Sequence, residues 1–151
     1  MGITVINEFS ISSVAGGEDE APLATLEHAQ TRATIQLTGK VLEAQFKVQA
    51  NYLLMLTEDT PHEEALHIYL LDDGLAIKDR LEISADYTAG VIRNIKVTGA
   101  DSVSFSFFEE DDHWSLQVLR EPKLMLFKNK YPVKSRNRLF GKSWLILSRT
   151  S

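Results

Sequence analysis

With 151 residues, a formal charge of −5, 44% hydrophobic and 25% charged positions, the chain has the composition of an ordinary folded domain, which excludes global disorder. Its lack of cysteine excludes disulfides, thiolate zinc sites and cysteine nucleophiles together. No apolar run approaches the roughly 20 residues of a membrane-spanning helix, so one domain over residues 1–151 is expected.

The N-terminal stretch lacks a basic segment, and Asn7 and Glu8 interrupt its apolar residues before signal-peptide length is reached. Gly2 follows Met1 as in myristoylation motifs, but Ile6 stands where Ser or Thr is required. Cytoplasmic residence is therefore the expectation. Residues 12–20 are small and acidic and read as a loop or mobile arm, so residues 1–20 are expected to form a partly mobile N-terminal arm. One short helix is predicted at 21–30, where Glu18, Asp19 and Glu20 suit a helix N-terminus, Pro22 suits a first turn, and Leu23 and Leu26 share a face. The same stretch also fits a strand.

From Thr31 onward the hydrophobic period is two. Ala33, Ile35 and Leu37, then Leu42, Ala44, Phe46 and Val48, alternate with polar residues around Gly39 and read as a hairpin. Residues 52–56 and, apart from His67, 66–71 are apolar runs of strand length, the pattern of paired strands buried on both faces, with a polar loop containing Pro61 between them. Asp72, Asp73 and Gly74 predict a tight reversal with Gly74 at positive φ, leading into a strand over 75–83. Further strands are predicted at 91–97, 102–107, 114–119, 124–127 and 144–147, separated by polar, glycine- or proline-containing connections. Val103, Phe105 and Phe107 alternate with serines in the clearest of them. The chain is thus expected to be an all-β antiparallel meander of about nine strands. It closes as a barrel or folds as a two-sheet sandwich.

The segment His62, Glu63, Glu64, Ala65, Leu66, His67 resembles a zinc-protease helix only superficially. Its histidines are five apart rather than four, and the run leads into a strand. Glu58, Asp59, His62 and Glu64 would form at most a loose divalent site, and an acid-rich loop is the simpler reading. The run Glu109, Glu110, Asp111, Asp112 has neither the spacers nor the glycine of a calcium loop. Gly141, Lys142 and Ser143 match the end of a phosphate-binding loop, but Arg136 occupies the first glycine position. No Gly-x-Ser-x-Gly elbow occurs. Neither a catalytic residue, a metal site nor a cofactor is assigned.

Charge distribution is more informative. Residues 121–151 carry eight bases against one acid, whereas residues 1–120 carry eight bases against twenty acids. Lys128, Lys130, Lys134, Arg136, Arg138 and Lys142, with Tyr131 among them, fall in a segment of little apolar content that reads as a basic loop. These seven residues are the expected partner-binding site. Either acidic loops of the same fold neutralise them, or they dock an acidic protein or a phosphate-bearing ligand. Phe127, Tyr131, Phe140 and Trp144 interleave with the bases as on single-strand nucleic-acid surfaces, but a sequence pI near 5.4 disfavours nucleic acid as the partner. The expected function is a small, non-catalytic binding protein for an anionic partner. One alternative is a barrel enclosing a small apolar ligand, lined by Tyr52, Tyr69, Phe105, Phe107 and Trp114. Another is a cavity enzyme pairing His67 with an acidic neighbour.

Overall fold

The apolar runs form the middle of a layered β-structure. A computed structural model describes residues 2–16, 19–60, 62–109, 111–124, 132–136 and 142–150. Among these residues there are thirteen strands and no helix. The first six are β1 (Ile3–Val5), β2 (Phe9–Ala15), β3 (Leu23–His28), β4 (Thr34–Thr38), β5 (Val41–Val48) and β6 (Asn51–Thr57). There follow β7 (Ala65–Leu71), β8 (Ile77–Ser84), β9 (Arg93–Val97) and β10 (Ser102–Ser106), then β11 (His113–Leu124), β12 (Val133–Arg136) and β13 (Lys142–Thr150). They build three open antiparallel sheets: β1-β5-β6-β7-β8-β12, β13-β11-β10-β9 and β2-β3-β4.

Side chains alternate across a strand, so a strand apolar at every position must be covered twice. Leu53, Met55, Leu66, Ile68, Leu70, Leu81 and Ile83 pack with Val103, Phe105, Trp114, Leu116 and Leu145 of the four-stranded sheet. Tyr52, Leu54, Leu56, Tyr69 and Leu71 face the other way and pack with Phe9, Ala24, Leu26 and Leu37 of the three-stranded sheet. The six-stranded sheet is thus the central layer of three. Its antiparallel β6–β7 pair, with Leu54 opposite Tyr69 and Met55 opposite Ile68, is the buried spine. Asp79, fully buried on β8, ties the central sheet to β13 by accepting the Trp144 and Leu145 amides at 2.9 and 3.0 Å.

The sheets do not close, so the barrel alternative falls and the sandwich alternative holds, with one layer more than expected. Tyr52 and Tyr69 belong to one interlayer core and Phe105, Phe107 and Trp114 to the other, so they line no common lumen.

Four local expectations change. The helix at 21–30 is strand β3, because Ala24, Leu26 and His28 alternate onto the buried face. The expected arm contributes β1 and β2, whose alternation is masked by a register irregularity between Ile11 and Ser13. Gly39 does not turn a hairpin: β4 pairs with β3, and β5 pairs with β1 and β6. It is the corner where the chain passes between layers, at φ 142°, and a Cβ there would lie 2.6 Å from that of Leu56. At the next reversal Leu75, not Gly74, takes positive φ (69°). Asp72 Oδ1 accepts the amides of Gly74 and Ala76, and burial of the Leu75 side chain holds that backbone in place.

The Glu121–Pro122 connection also proves to be strand. β11 runs through it, and its register with β13 shifts between Val118 and Lys123, the kind of irregularity that accommodates a proline without an N–H. Residues 125–127, expected as part of a further strand, lie outside the described residues. No helix among the described residues is long and apolar enough to cross a membrane.

Candidate anion-binding face

Of the seven predicted partner-binding residues, Lys128, Lys130, Tyr131 and Arg138 lie outside the described residues. Lys134 and Arg136 are in strand β12 rather than in a loop, added to the edge of the central sheet. Val133, the apolar residue of this short strand, packs against the first core and anchors it. Its register sets Lys134 opposite Glu82 and Arg136 opposite Arg80.

Lys142 begins β13 and is exposed, with Leu124 as its ladder partner. Because Asp79 holds the amides of Trp144 and Leu145, β13 starts beside the same part of β8 where β12 ends. The two ends of the basic segment therefore converge on residues 78–80. They meet two cations that the sequence reading did not single out, Lys78 and Arg80. Lys123, exposed on β11 and opposite Ser143, adds a third. The β7–β8 register shifts between Asp79 and Ile77, and Lys78 reaches Trp144 on the side of the four-stranded sheet whereas Arg80 reaches Tyr69 on the other side, so these cations border one end of the central sheet from its two faces.

The bases in this cluster are not equivalent. Lys134 Nζ lies 3.1 Å from Ser84 Oγ and 3.8 Å from Glu82 Oε2, so it is largely neutralised within the fold. Lys78 Nζ sits 3.7 Å from the centre of the Trp144 ring and 3.4 Å from Asn51 Oδ1. That contact occupies one ring face of Trp144, which also packs against the first core, so Trp144 is a poor platform for a stacked base. The Arg80 guanidinium lies 5.0 Å from the Tyr69 ring centre. Burial raises the Tyr69 hydroxyl pKa, partly countered by this charge. Lys123 and Lys142 form no ion pair among the described residues.

Behind Lys134 lies a buried polar chain. His67 Nε2 is 2.6 Å from Glu58 Oε2, and His67 Nδ1 is 3.8 Å from Glu82 Oε1. Glu82 Oε2 accepts the Ser84 hydroxyl at 2.8 Å. The acidic neighbour expected for His67 is thus Glu58, nine residues earlier across the β6–β7 connection. The His67 side chain is only 2% exposed, which suits a cross-link between loop and sheet better than proton exchange with a substrate. A second pair, buried His28 Nε2 with half-buried Glu8 Oε1 at 2.8 Å, joins β3 to the β1–β2 connection in the same way.

The other acidic motifs are structural too. Glu64 accepts the amides of Glu58 and Ala65 at 2.9 Å and that of Thr60 at 3.3 Å, folding the 58–64 loop around its carboxylate. Burial nevertheless raises its pKa, more than those amides lower it. Asp112 accepts the Trp114 indole N–H and pairs with Arg149 Nε at 2.6 Å, so part of the acidic run is a buried strut. No metal-binding cluster of three or more histidine or acidic residues occurs among the described residues. No known family, curated protein or solved structure matches this chain.

Proposed function

We propose that this is a non-catalytic cytoplasmic binding protein that engages an anionic partner, an acidic protein segment or a phosphate-bearing ligand, through the basic face built on β8, β12 and the start of β13. One observation carries the reading: the ladder register and the Asp79 bonds bring both ends of the basic segment onto Lys78 and Arg80. Cations far apart in sequence thereby share one end of the sandwich. The acids interleaved with them, Asp79 and Glu82, are buried and committed to internal contacts, so they screen exposed bases such as Lys142 poorly.

Lys134 is the least suitable residue for a test, since Lys134→Glu would set a third carboxylate beside Glu82 and Glu58 and strain the fold. Arg136→Glu, Arg138→Glu and Lys142→Glu combined are the informative change. With immobilised inorganic polyphosphate and an acidic polypeptide as probes, the parent protein is expected to be retained and the triple variant released, with unchanged thermal unfolding. Equal retention of both proteins would contradict the proposal.

A further inference from the structure

Strand β12 completes a small grid on the face of the central sheet that looks toward the three-stranded sheet. Residues directly opposite one another on paired antiparallel strands share one face. One row of the grid is His67 on β7, Glu82 on β8 and Lys134 on β12, and the next is Tyr69, Arg80 and Arg136.

The two rows differ in charge balance. In the first, Glu82 accepts the Ser84 hydroxyl at 2.8 Å, with Lys134 Nζ and His67 Nδ1 each 3.8 Å from its carboxylate. In the second, the register supplies two arginines and no acid. Asp79, next to Arg80 in sequence, accepts the Arg80, Trp144 and Leu145 amides and so holds its carboxylate toward β13 in the other layer. Tyr69 is no counter-anion either, because its hydroxyl donates to the Thr38 carbonyl at 3.0 Å and burial raises its pKa.

Two further observations single out Arg80. Its side chain forms no ion pair among the described residues. Its Nε is buried and, with His67 Nδ1 and Ser143 Oγ, is one of three buried side-chain polar atoms among the described residues that lack a hydrogen-bond partner. A buried N–H without an acceptor is rare in folded proteins, and like charges directly opposite each other weaken a ladder. One anion between the two arginines relieves both.

The chemistry of the pair narrows that anion. A guanidinium presents a planar fork of donors that matches two oxygens of a single group. Two such forks carry two positive charges, which a phosphate near neutral pH balances and a single carboxylate does not. The Nε donor lies beneath the surface, so it selects a compact group seated between side chains over a polymer lying across them.

We propose that Arg80 and Arg136 form a site for one phosphate group, with the Arg80 fork as its selective element. This rests on the reading of the basic face as anion-binding and narrows the anion to a phosphate.

The test follows the arginine Nε–Hε resonances of the isotopically labelled full chain during titration with inorganic phosphate, glycerol phosphate or acetate at constant ionic strength. The Arg80 signal is assigned through its own backbone amide. Phosphate is expected to shift that signal saturably and to bind roughly tenfold or more tighter than acetate. Arg80→Lys, which keeps the charge and removes the fork, should weaken phosphate by a similar factor. Tighter binding of glycerol phosphate than of inorganic phosphate would support a phosphate monoester as the ligand, and the reverse order the free ion. An Arg80 signal that both phosphates leave unmoved would overturn the proposal. The wider reading of the basic face then survives if the parent protein is still retained on polyphosphate, and falls with it if not. Equal affinity for phosphate and acetate would also overturn the site. A saturable shift without polyphosphate retention would support the site and contradict the wider face.

Discussion

The two faces of the central sheet are built from the same strands and differ in kind. On the face toward the four-stranded sheet, the buried residues of β6, β7 and β8 are apolar, from Leu53 and Met55 to Leu81 and Ile83, with the exception of Asp79, whose carboxylate takes two amides of β13. Toward the three-stranded sheet the composition changes strand by strand. Tyr52, Leu54 and Leu56 of β6 give way to His67, Tyr69 and Leu71 of β7, then to Arg80, Glu82 and Ser84 of β8, with Lys134 of β12 opposite Glu82. The first face holds the layers together. The second grades from core into a charged border, and that border supports the basic face. A sheet buried on both sides can therefore spend one end of one face on polar contacts while the opposite face keeps the fold.

The strongest test of this picture is a pair of truncations. Ile68→Ala removes a fully buried side chain from the first face and Leu54→Ala one from the second. Each is expected to cost about 2–5 kcal/mol in chemical denaturation. A two-layer protein would tolerate one of them, since one residue of the pair would then face solvent.

A smaller effect is expected within the polar border. Glu58→Gln and His67→Phe, separately and together, form a double-mutant cycle whose coupling should be about 1–3 kcal/mol if the 2.6 Å contact joins loop and sheet. A coupling near zero would mean that the two side chains merely adjoin.

How much of this contrast was legible in the sequence depended on the residue. The apolar runs at 52–56 and 66–71, the second broken only by His67, announced burial on both faces, because no one-sided strand needs them. The third layer was hidden for local reasons. In β2 the irregularity after Ile11 breaks the alternation, and before β3 the run Glu18, Asp19, Glu20, Pro22 imitates a helix start. Gly39 between two alternating segments has the local appearance of a hairpin, and only Leu56 beneath it shows that the chain turns a corner. The basic residues at 134, 136 and 142 were visible as charge. Lys78 and Arg80 were not, since cross-strand pairing, a long-range property, joins them to the group.

The smallest expected effect concerns pH. Burial raises the Glu64 pKa above that of an ordinary glutamate, so the folded state holds this proton more tightly than the unfolded chain. Its contribution to stability is present at lower pH and is lost as pH rises through the folded pKa, above 4.5. Glu64→Gln, which resembles the protonated form, should gain stability relative to the parent protein across that window. A stability difference that stays flat or moves the other way in denaturation at successive pH values would refute this sign.

The central claim, that the gathered cations meet an anionic partner, is tested most directly by the salt dependence of polyphosphate binding. Log affinity against log salt should fall with a clear negative slope for the parent protein, each neutralised phosphate contributing about −0.7 if the flexible polyphosphate behaves like a single-stranded nucleic acid. The slope should shrink and binding collapse when Arg136, Arg138 and Lys142 are reversed to glutamate. A flat response, or one the reversal leaves unchanged, would contradict the account.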